Sequence, residues 1–140
     1  MSCPLCHTLS RIRARAEPSH IADLSESSLA LADTQGCPGW CVLVLNTHDE
    51  HLESLDPTRR VGFLADLARA AGAVRSAFPD ATRLNYACLC NVVPHLHWHL
   101  IPRRATDLPG AVWSWPEESQ RGRATNADRM GLVRSIRAAL

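Results

Sequence analysis

The fold of this chain is decided by the stretch Asn91-Val92-Val93-Pro94-His95-Leu96-His97-Trp98-His99-Leu100-Ile101-Pro102-Arg103. Histidine alternates here three times with large apolar residues, which is the two-residue period of a β-strand. Successive side chains of a strand point to opposite faces. His95, His97 and His99 are therefore predicted to share one face, while the apolar residues between them bury the other face in a core.

Three imidazoles on one strand face are spaced about 6.5–7 Å apart. Groups placed in this way can serve a reacting group, a metal ion or both. The alternative is a strand whose solvent face is polar by chance, but such faces usually carry Lys, Thr and Glu. The repeat therefore favours a functional site.

The repeat His95-Leu96-His97-Trp98-His99-Leu100-Ile101 resembles the signature of the histidine triad (HIT) family of nucleotide hydrolases and transferases. The flanking segments Arg83-Leu84-Asn85-Tyr86 and Asn91-Val92-Val93-Pro94 are similar to the bacterial diadenosine polyphosphate hydrolase-like branch. The resemblance implies an α+β, HIT-like fold: an antiparallel sheet of about five strands with one long helix and a C-terminal helix. It also implies a homodimer.

The resemblance assigns a catalytic role to each histidine. His97 matches the family's nucleophile, which forms a covalent nucleotidyl intermediate. Neutral imidazole suits this chemistry because it attacks phosphorus near pH 7 without first losing a proton. His99 would contact the phosphate and help to protonate the leaving group. His95 would lie beside the site.

Three further residues match positions that contact substrate in the family. Asn85 and Asn91 fall near the phosphate, although the family often has Gln at the second position. Asp33 falls near the ribose-binding Asp if a one-residue gap is allowed. For each residue, an ordinary turn or strand-end role is the alternative. Cys90 stands where many relatives have glycine, so a side chain narrows or reshapes this loop.

Cys3-Pro4-Leu5-Cys6 is a Cys-x-x-Cys motif, a spacing at which two thiolates bind one tetrahedral metal ion. A redox pair and two unligated thiols are the alternatives. The resemblance to zinc-bearing members of the HIT family implies a structural zinc ion, held by Cys3, Cys6, His48 and His95. His51 is near enough in sequence to replace His48. No organic cofactor is expected.

The 140 residues predict a single domain over residues 1–140. The charge is nearly balanced, with 15 basic and 14 acidic residues, so neither nucleic acid nor a membrane is expected as a partner. The sequence starts without an apolar leader and has no run of 18 apolar residues. These features predict a cytoplasmic protein, in which the six cysteines are thiols or metal ligands.

The remaining sequence predicts the order of the elements. A β-hairpin is expected within residues 20–33 and a buried strand at 40–45. Asp56-Pro57 predicts the start of a long helix that ends before Pro79. A strand at 84–89 precedes the triad strand. Residues 102–125 should be irregular but packed, and Asn126 is expected to cap a last helix at about 127–139.

The leading hypothesis is a nucleotide hydrolase or nucleotidyl transferase that cleaves at the α-phosphate of an adenosine-type nucleotide. A dinucleoside polyphosphate or a nucleoside phosphoramidate is the expected substrate. One alternative is a zinc-dependent hydrolase in which the three histidines bind a catalytic metal. The other is a non-catalytic nucleotide-binding module, which the unusual Cys90 and Asn91 keep open.

Overall fold

The computed structural model describes residues 2–140 and contains a five-stranded antiparallel sheet with helices on both faces. Its elements in chain order are α1 (Pro4–Arg13), β1 (His20–Asp23), β2 (Ser27–Leu31), β3 (Cys41–Leu45), α2 (Pro57–Ala77), β4 (Arg83–Ala87), β5 (His97–Arg103), α3 (Glu117–Arg121) and α4 (Asn126–Ala138). The strands lie side by side in the order β1-β2-β3-β5-β4, and every neighbouring pair is antiparallel. This architecture confirms the expected α+β fold.

One face of the sheet is covered by α2 and α4. The long helix begins where the sequence predicts, with the Asp56 side chain as its cap and Pro57 as its first residue. Phe63 and Val74 of α2 and Ile136 of α4 are fully buried in the main core against this face. This core fixes the sheet on which the histidines stand.

The helix α2 exposes some large apolar side chains and buries one carboxylate. Leu64 is 40 % exposed, whereas Asp66 is buried. The Asp66 carboxylate accepts hydrogen bonds from the backbone N–H groups of Ser25 and Glu26 and from the Ser27 hydroxyl, at 2.7–3.2 Å. A buried carboxylate is stable here because its oxygens are satisfied, and the contacts bind α2 to the β1–β2 turn.

The opposite face carries the two histidines of β5. Over β3 it is covered by α1, whose Leu9 and Ile12 bury against Val44. Trp115, in the segment that follows β5, packs with Trp40 in a second hydrophobic cluster on this face. These two layers leave the histidines of β5 between α1 and the Trp-containing segment.

The triad strand is shorter at its start than predicted, because β5 begins at His97 and His95 lies in the preceding loop. Pro94 has no N–H group for a strand ladder. The His95 N–H bonds to the Val93 carbonyl at 2.9 Å, which turns the chain sharply before the strand starts. The prediction that all three histidines lie on one strand is therefore wrong for His95, although its side chain contacts α1 on the same side of the sheet as His97 and His99.

Two features of the C-terminal part differ from expectation. The helix α3 interrupts the stretch predicted to be irregular. Thr125, not Asn126, caps α4: its side chain and that of Asp128 form a reciprocal capping box. Among residues 2–140, no helix is both long and apolar enough to cross a membrane.

Candidate active site and metal site

His97 and His99 stand next to each other on the face of β5 that α2 does not cover. β3 holds them from one side, since Val44 pairs with His97 and Val42 with His99. β4 holds them from the other, through the pair Ala87 and His99. The two imidazole centroids are 5.0 Å apart, and the rings are inclined by 74°. Both rings can therefore meet one small group, such as a phosphate.

The tautomer of His97 follows from its hydrogen bond to the backbone. Its Nδ1 lies 2.6 Å from the carbonyl oxygen of His95. A carbonyl oxygen only accepts, so Nδ1 carries the proton and donates it. Nε2 of the neutral ring is left with its lone pair. This arrangement makes Nε2 the nucleophilic atom.

His99 is held by two tryptophans. The indole N–H of Trp40 donates to Nδ1 of His99 at 3.0 Å. Trp113 packs edge-on against the same imidazole, with ring centroids 5.1 Å apart. Burial, together with the positive charge that His97 can carry, lowers the pKa of His99 to about 4. His99 is thus a neutral group at pH 7.

The side chain of His95 points towards the start of α1, away from the other two histidines. It forms a cluster with Cys3, Cys6 and His48, whose four ligand atoms lie within 4.8 Å of one another. Nδ1 of His95 is 3.5 Å from the Cys3 sulfur and 3.6 Å from that of Cys6, and Nδ1 of His48 is 3.4 Å from the Cys6 sulfur. His51 is not part of the cluster.

These distances match the edges of a zinc tetrahedron. Zn–S bonds of about 2.3 Å and Zn–N bonds of about 2.0–2.1 Å at tetrahedral angles place sulfur and nitrogen about 3.6 Å apart. The second nitrogen of His95, Nε2, donates to the Leu45 carbonyl at 2.8 Å, which leaves Nδ1 with a lone pair for a metal. Burial and the adjacent Cys3 thiol raise the pKa of Cys6, and a bound cation would favour the thiolate. The donor set therefore fits zinc.

The two asparagines are placed differently from each other. Asn85 on β4 faces the same side of the sheet as His99, but its side-chain oxygen accepts a hydrogen bond of 2.9 Å from Arg103. Asn91 is exposed in the loop before the triad. Within the described residues, its amide makes no hydrogen bond. Asn91 is thus free to donate to a ligand, and in Asn85, among residues 2–140, only the side-chain oxygen is engaged, so its amide nitrogen can still donate.

Cys90 occupies a strained backbone position. Its φ is 53°, in the left-handed region that glycine adopts more easily. The thiol lies 3.5 Å from the His95 carbonyl oxygen and 3.9 Å from Nδ1 of His97. A cysteine here therefore places its sulfur beside the Nδ1 edge of the His97 ring, where glycine would leave space.

The structure does not bring Asp33 into contact with the triad. Its side chain, just after β2, is fully exposed and lies 3.9 Å from Arg129 of α4. The same arginine donates to the backbone carbonyls of Asp33 and Ala32. β3 separates β2 from the histidine-bearing β5. Ribose binding by Asp33 thus stays a prediction from sequence.

Comparison with known proteins assigns the chain to a family. The family model described as "HIT domain" matches residues 14–106, which include both histidines of β5. The chain belongs to the HIT domain family. No curated protein matches it in sequence.

Solved HIT structures share the fold over most of the chain. A histidine triad protein from Sinorhizobium meliloti superposes with a TM-score of 0.77 at 24 % identity, covering 91 % of this chain and 94 % of its own. A hypothetical histidine triad nucleotide-binding protein from Sulfolobus tokodaii gives 0.75 at 18 %, covering 96 % and 91 %. A zinc-bound histidine triad family protein from Mycobacterium smegmatis gives 0.70 at 25 %, covering 99 % and 93 %.

Sequence reasoning alone does not identify Trp40 and Trp113 as neighbours of His99. Trp40 comes directly before β3, two residues ahead of Val42, which pairs with His99. Its side chain is therefore diagonal to His99 across the two strands, a spacing that aromatic side chains bridge. Trp113 comes from a segment without strand or long helix that folds back over the sheet. The signal for Trp40 was available only once the pairing of β3 with β5 was known.

Proposed function

We propose that this HIT protein is a nucleotide hydrolase or nucleotidyl transferase that acts through a nucleotidyl-His97 intermediate. The observation that carries the proposal is the hydrogen bond from Nδ1 of His97 to the His95 carbonyl. In the neutral ring it places the lone pair on Nε2 and aims this atom away from the backbone. The bond also stabilises the positive ring that forms when Nε2 becomes bonded to phosphorus.

The reaction has two steps. Nε2 of His97 attacks the α-phosphorus, and the bond to the leaving group breaks. Water then attacks the same phosphorus and releases the nucleotide, which divides one difficult displacement into two easier ones. With another acceptor in place of water, the same intermediate gives nucleotidyl transfer.

Substrate contacts beyond His97 follow from what lies around it. The imidazole of His99, 5.0 Å from that of His97 between centroids, is in reach of a phosphate oxygen. Asn91 adds an exposed amide donor from the preceding loop. Asn85 would join them through its amide nitrogen, because only its side-chain oxygen is bonded to Arg103. Asp33 is the proposed ribose contact.

The proposed substrate is an adenosine-type nucleotide, either a dinucleoside polyphosphate or a phosphoramidate. This choice rests on the family and on the sequence similarity of residues 83–86 and 91–94 to the diadenosine polyphosphate hydrolase-like branch. A cytoplasmic location likewise stays a prediction from sequence.

We further propose that the cluster of Cys3, Cys6, His48 and His95 binds a structural zinc ion. All four ligands come from the protein, so the coordination sphere would be closed. The zinc-bound relative from Mycobacterium smegmatis supports the choice of metal. The rival site, with all three triad histidines on one catalytic metal, is disfavoured because both nitrogens of His95 are already engaged elsewhere.

A homodimer is proposed as well, on the resemblance to the family. β4 is an edge strand of the sheet in the single chain. Tyr86 on that strand and Leu89 and Val92 just after it are more than half exposed. An exposed apolar strand edge is a natural place for a second chain.

The experiment that tests the proposed function is a turnover assay with a panel of adenosine compounds, separating the nucleotide products. Wild type is expected to release AMP from at least one of them, and His97→Ala to release almost none. His51→Ala, an exposed histidine outside both sites, is the matched control and should behave as wild type. Equal turnover by wild type and His97→Ala would refute the mechanism.

A further inference from the structure

Trp40 is a buried tryptophan whose one polar atom points at His99. The residue is 2 % exposed, and its Nε1 lies 3.0 Å from Nδ1 of His99. An indole N–H donates and never accepts. Nδ1 of His99 must therefore be the acceptor and hold a lone pair. The proton of the neutral imidazole is then on Nε2.

The same contact opposes protonation of His99. An imidazolium carries N–H on both nitrogens, so its Nδ1–H would point directly at the indole N–H. The groups that face the ring offer no compensating negative charge: His97 on its own strand, Val42 and Ala87 on the neighbouring strands, and Trp113 over its edge. The lowered pKa of His99 agrees with this geometry.

The two histidines of β5 are thus held in opposite tautomers by different partners. A backbone carbonyl holds the proton of His97 on Nδ1, which leaves Nε2 as a nucleophile. An indole N–H keeps Nδ1 of His99 bare, which leaves Nε2–H as a donor. Any residue at position 95 would supply the backbone carbonyl that holds His97. The donor that holds His99 comes from the side chain of Trp40.

We propose that Trp40 is a positioning residue that holds His99 as a neutral Nε2–H donor, and that the site therefore favours nucleotides whose leaving group departs as an anion. The preference for an anionic leaving group rests on the proposed function. It narrows the substrate class from both phosphoanhydrides and phosphoramidates to the phosphoanhydrides.

The reason lies in the first step of the reaction. Nε2 of His97 forms a bond to the α-phosphorus while the P–O bond breaks, and the electron pair of that bond stays on the leaving oxygen. A leaving phosphate carries this charge without a proton. The nitrogen of a phosphoramidate has to gain a proton before the P–N bond breaks, and a neutral imidazole is a weak acid for that task.

The second step makes no demand on His99 as an acid either. Water attacks phosphorus, the N–P bond breaks, and its electron pair returns to Nε2 of His97. The proton that water loses goes to the solvent. Throughout both steps, the Nε2–H of His99 only donates a hydrogen bond to a phosphate oxygen.

The tautomer is tested by long-range ¹⁵N–¹H spectra of the histidine rings in ¹⁵N-labelled protein at pH 7. Wild type is expected to show His99 protonated on Nε2. Trp40→Phe keeps an aromatic ring but removes the donor, so the Nδ1-protonated and doubly protonated forms should appear. Trp98→Phe is the matched control, because Trp98 lies next to His99 on the opposite face and its buried Nε1 has no partner among residues 2–140.

A wild-type His99 protonated on Nδ1 overturns the proposal, and so does an unchanged His99 tautomer in folded Trp40→Phe. If Trp40→Phe does not fold, the wild-type spectrum alone decides the tautomer. Unaltered His99 signals in Trp98→Phe support a specific effect of the indole at position 40.

The substrate preference is tested by turnover of diadenosine tetraphosphate and adenosine 5′-phosphoramidate. Wild type and Trp98→Phe should favour the anhydride. Trp40→Phe should raise the ratio of phosphoramidate to anhydride turnover at least about tenfold, because His99 regains a proton to give. An unchanged ratio overturns the selectivity. If wild type cleaves neither compound, both the selectivity and the proposed function fail. The spectra still decide the role of Trp40 in that case.

Discussion

Removal of the proposed zinc ion should destabilise the protein without stopping catalysis. The perturbation is the double replacement Cys3→Ser with Cys6→Ser, or His48→Ala. The ligand atoms already have the spacing of a zinc tetrahedron, with sulfur–nitrogen distances of 3.4–3.6 Å. Little rearrangement is therefore needed on binding, and most of the binding free energy should add to the stability of the folded state.

The magnitude follows from linkage between binding and folding. Free zinc at about 1,000 times its Kd stabilises the folded state by about 4 kcal/mol. For a chain of this length, about 1 kcal/mol shifts Tm by roughly 3–4 °C, so Tm should fall by about 12–16 °C. The fold should persist at 25 °C, because Leu9 and Ile12 still hold α1 on β3.

Turnover per folded molecule should change little. The Leu45 carbonyl continues to hold His95 through Nε2, so the carbonyl that orients His97 stays in place. The assay is thermal unfolding with and without a chelator, in parallel with turnover at 25 °C. His51→Ala, three residues from His48 but outside the cluster, is the control and should keep the wild-type Tm.

Two results would refute this reasoning. In the first, chelation abolishes turnover while circular dichroism shows an intact fold, which would favour a catalytic metal. In the second, neither chelation nor the cysteine replacements change Tm, which would mean that the cluster binds no metal.

Three further predictions concern stability and assembly. The pKa of His99 is about 4 in the folded protein, against an ordinary value of 6.5. The unfolded state therefore takes up a proton first as pH falls, and the folded state loses stability between pH 6.5 and pH 4. The loss is up to about 3 kcal/mol; urea unfolding from pH 7 to 4.5 should show it in wild type and less of it in His99→Gln. Cys90→Gly should be more stable than Cys90→Ala by about 1 kcal/mol in the same assay, because a φ of 53° strains any residue with a Cβ. Light scattering should give about twice the 15.4 kDa of one chain, and a monomer mass at micromolar concentration would contradict the homodimer.

Local sequence pattern was sufficient for the elements that carry the site. The period of two around His97 and His99 predicts β5, and Asp56-Pro57 predicts the start of α2, because strand alternation and helix capping depend on neighbouring residues. The grouping of Cys3, Cys6, His48 and His95 came from the resemblance to the HIT family. Spacing alone had identified only the cysteine pair.

What the sequence could not predict depends on contacts between distant segments. His95 leaves the strand because Pro94 cannot join the ladder and because its ring reaches α1, which the period of two does not reveal. The hydrogen bond from Trp40 to His99 requires the register of β3 against β5. Asp33 shows the opposite case: a plausible sequence match whose contacts are with α4.

The central claim is that His97 becomes covalently bonded to a nucleotide, and it is tested most directly by mass spectrometry. Enzyme and diadenosine tetraphosphate are mixed for a single turnover and quenched in alkaline denaturant, which preserves the P–N bond. The peptide that contains His97 is expected to gain the mass of an AMP group in wild type and in His51→Ala. It should gain nothing in His97→Ala. An unmodified His97 peptide during measurable turnover would contradict the mechanism.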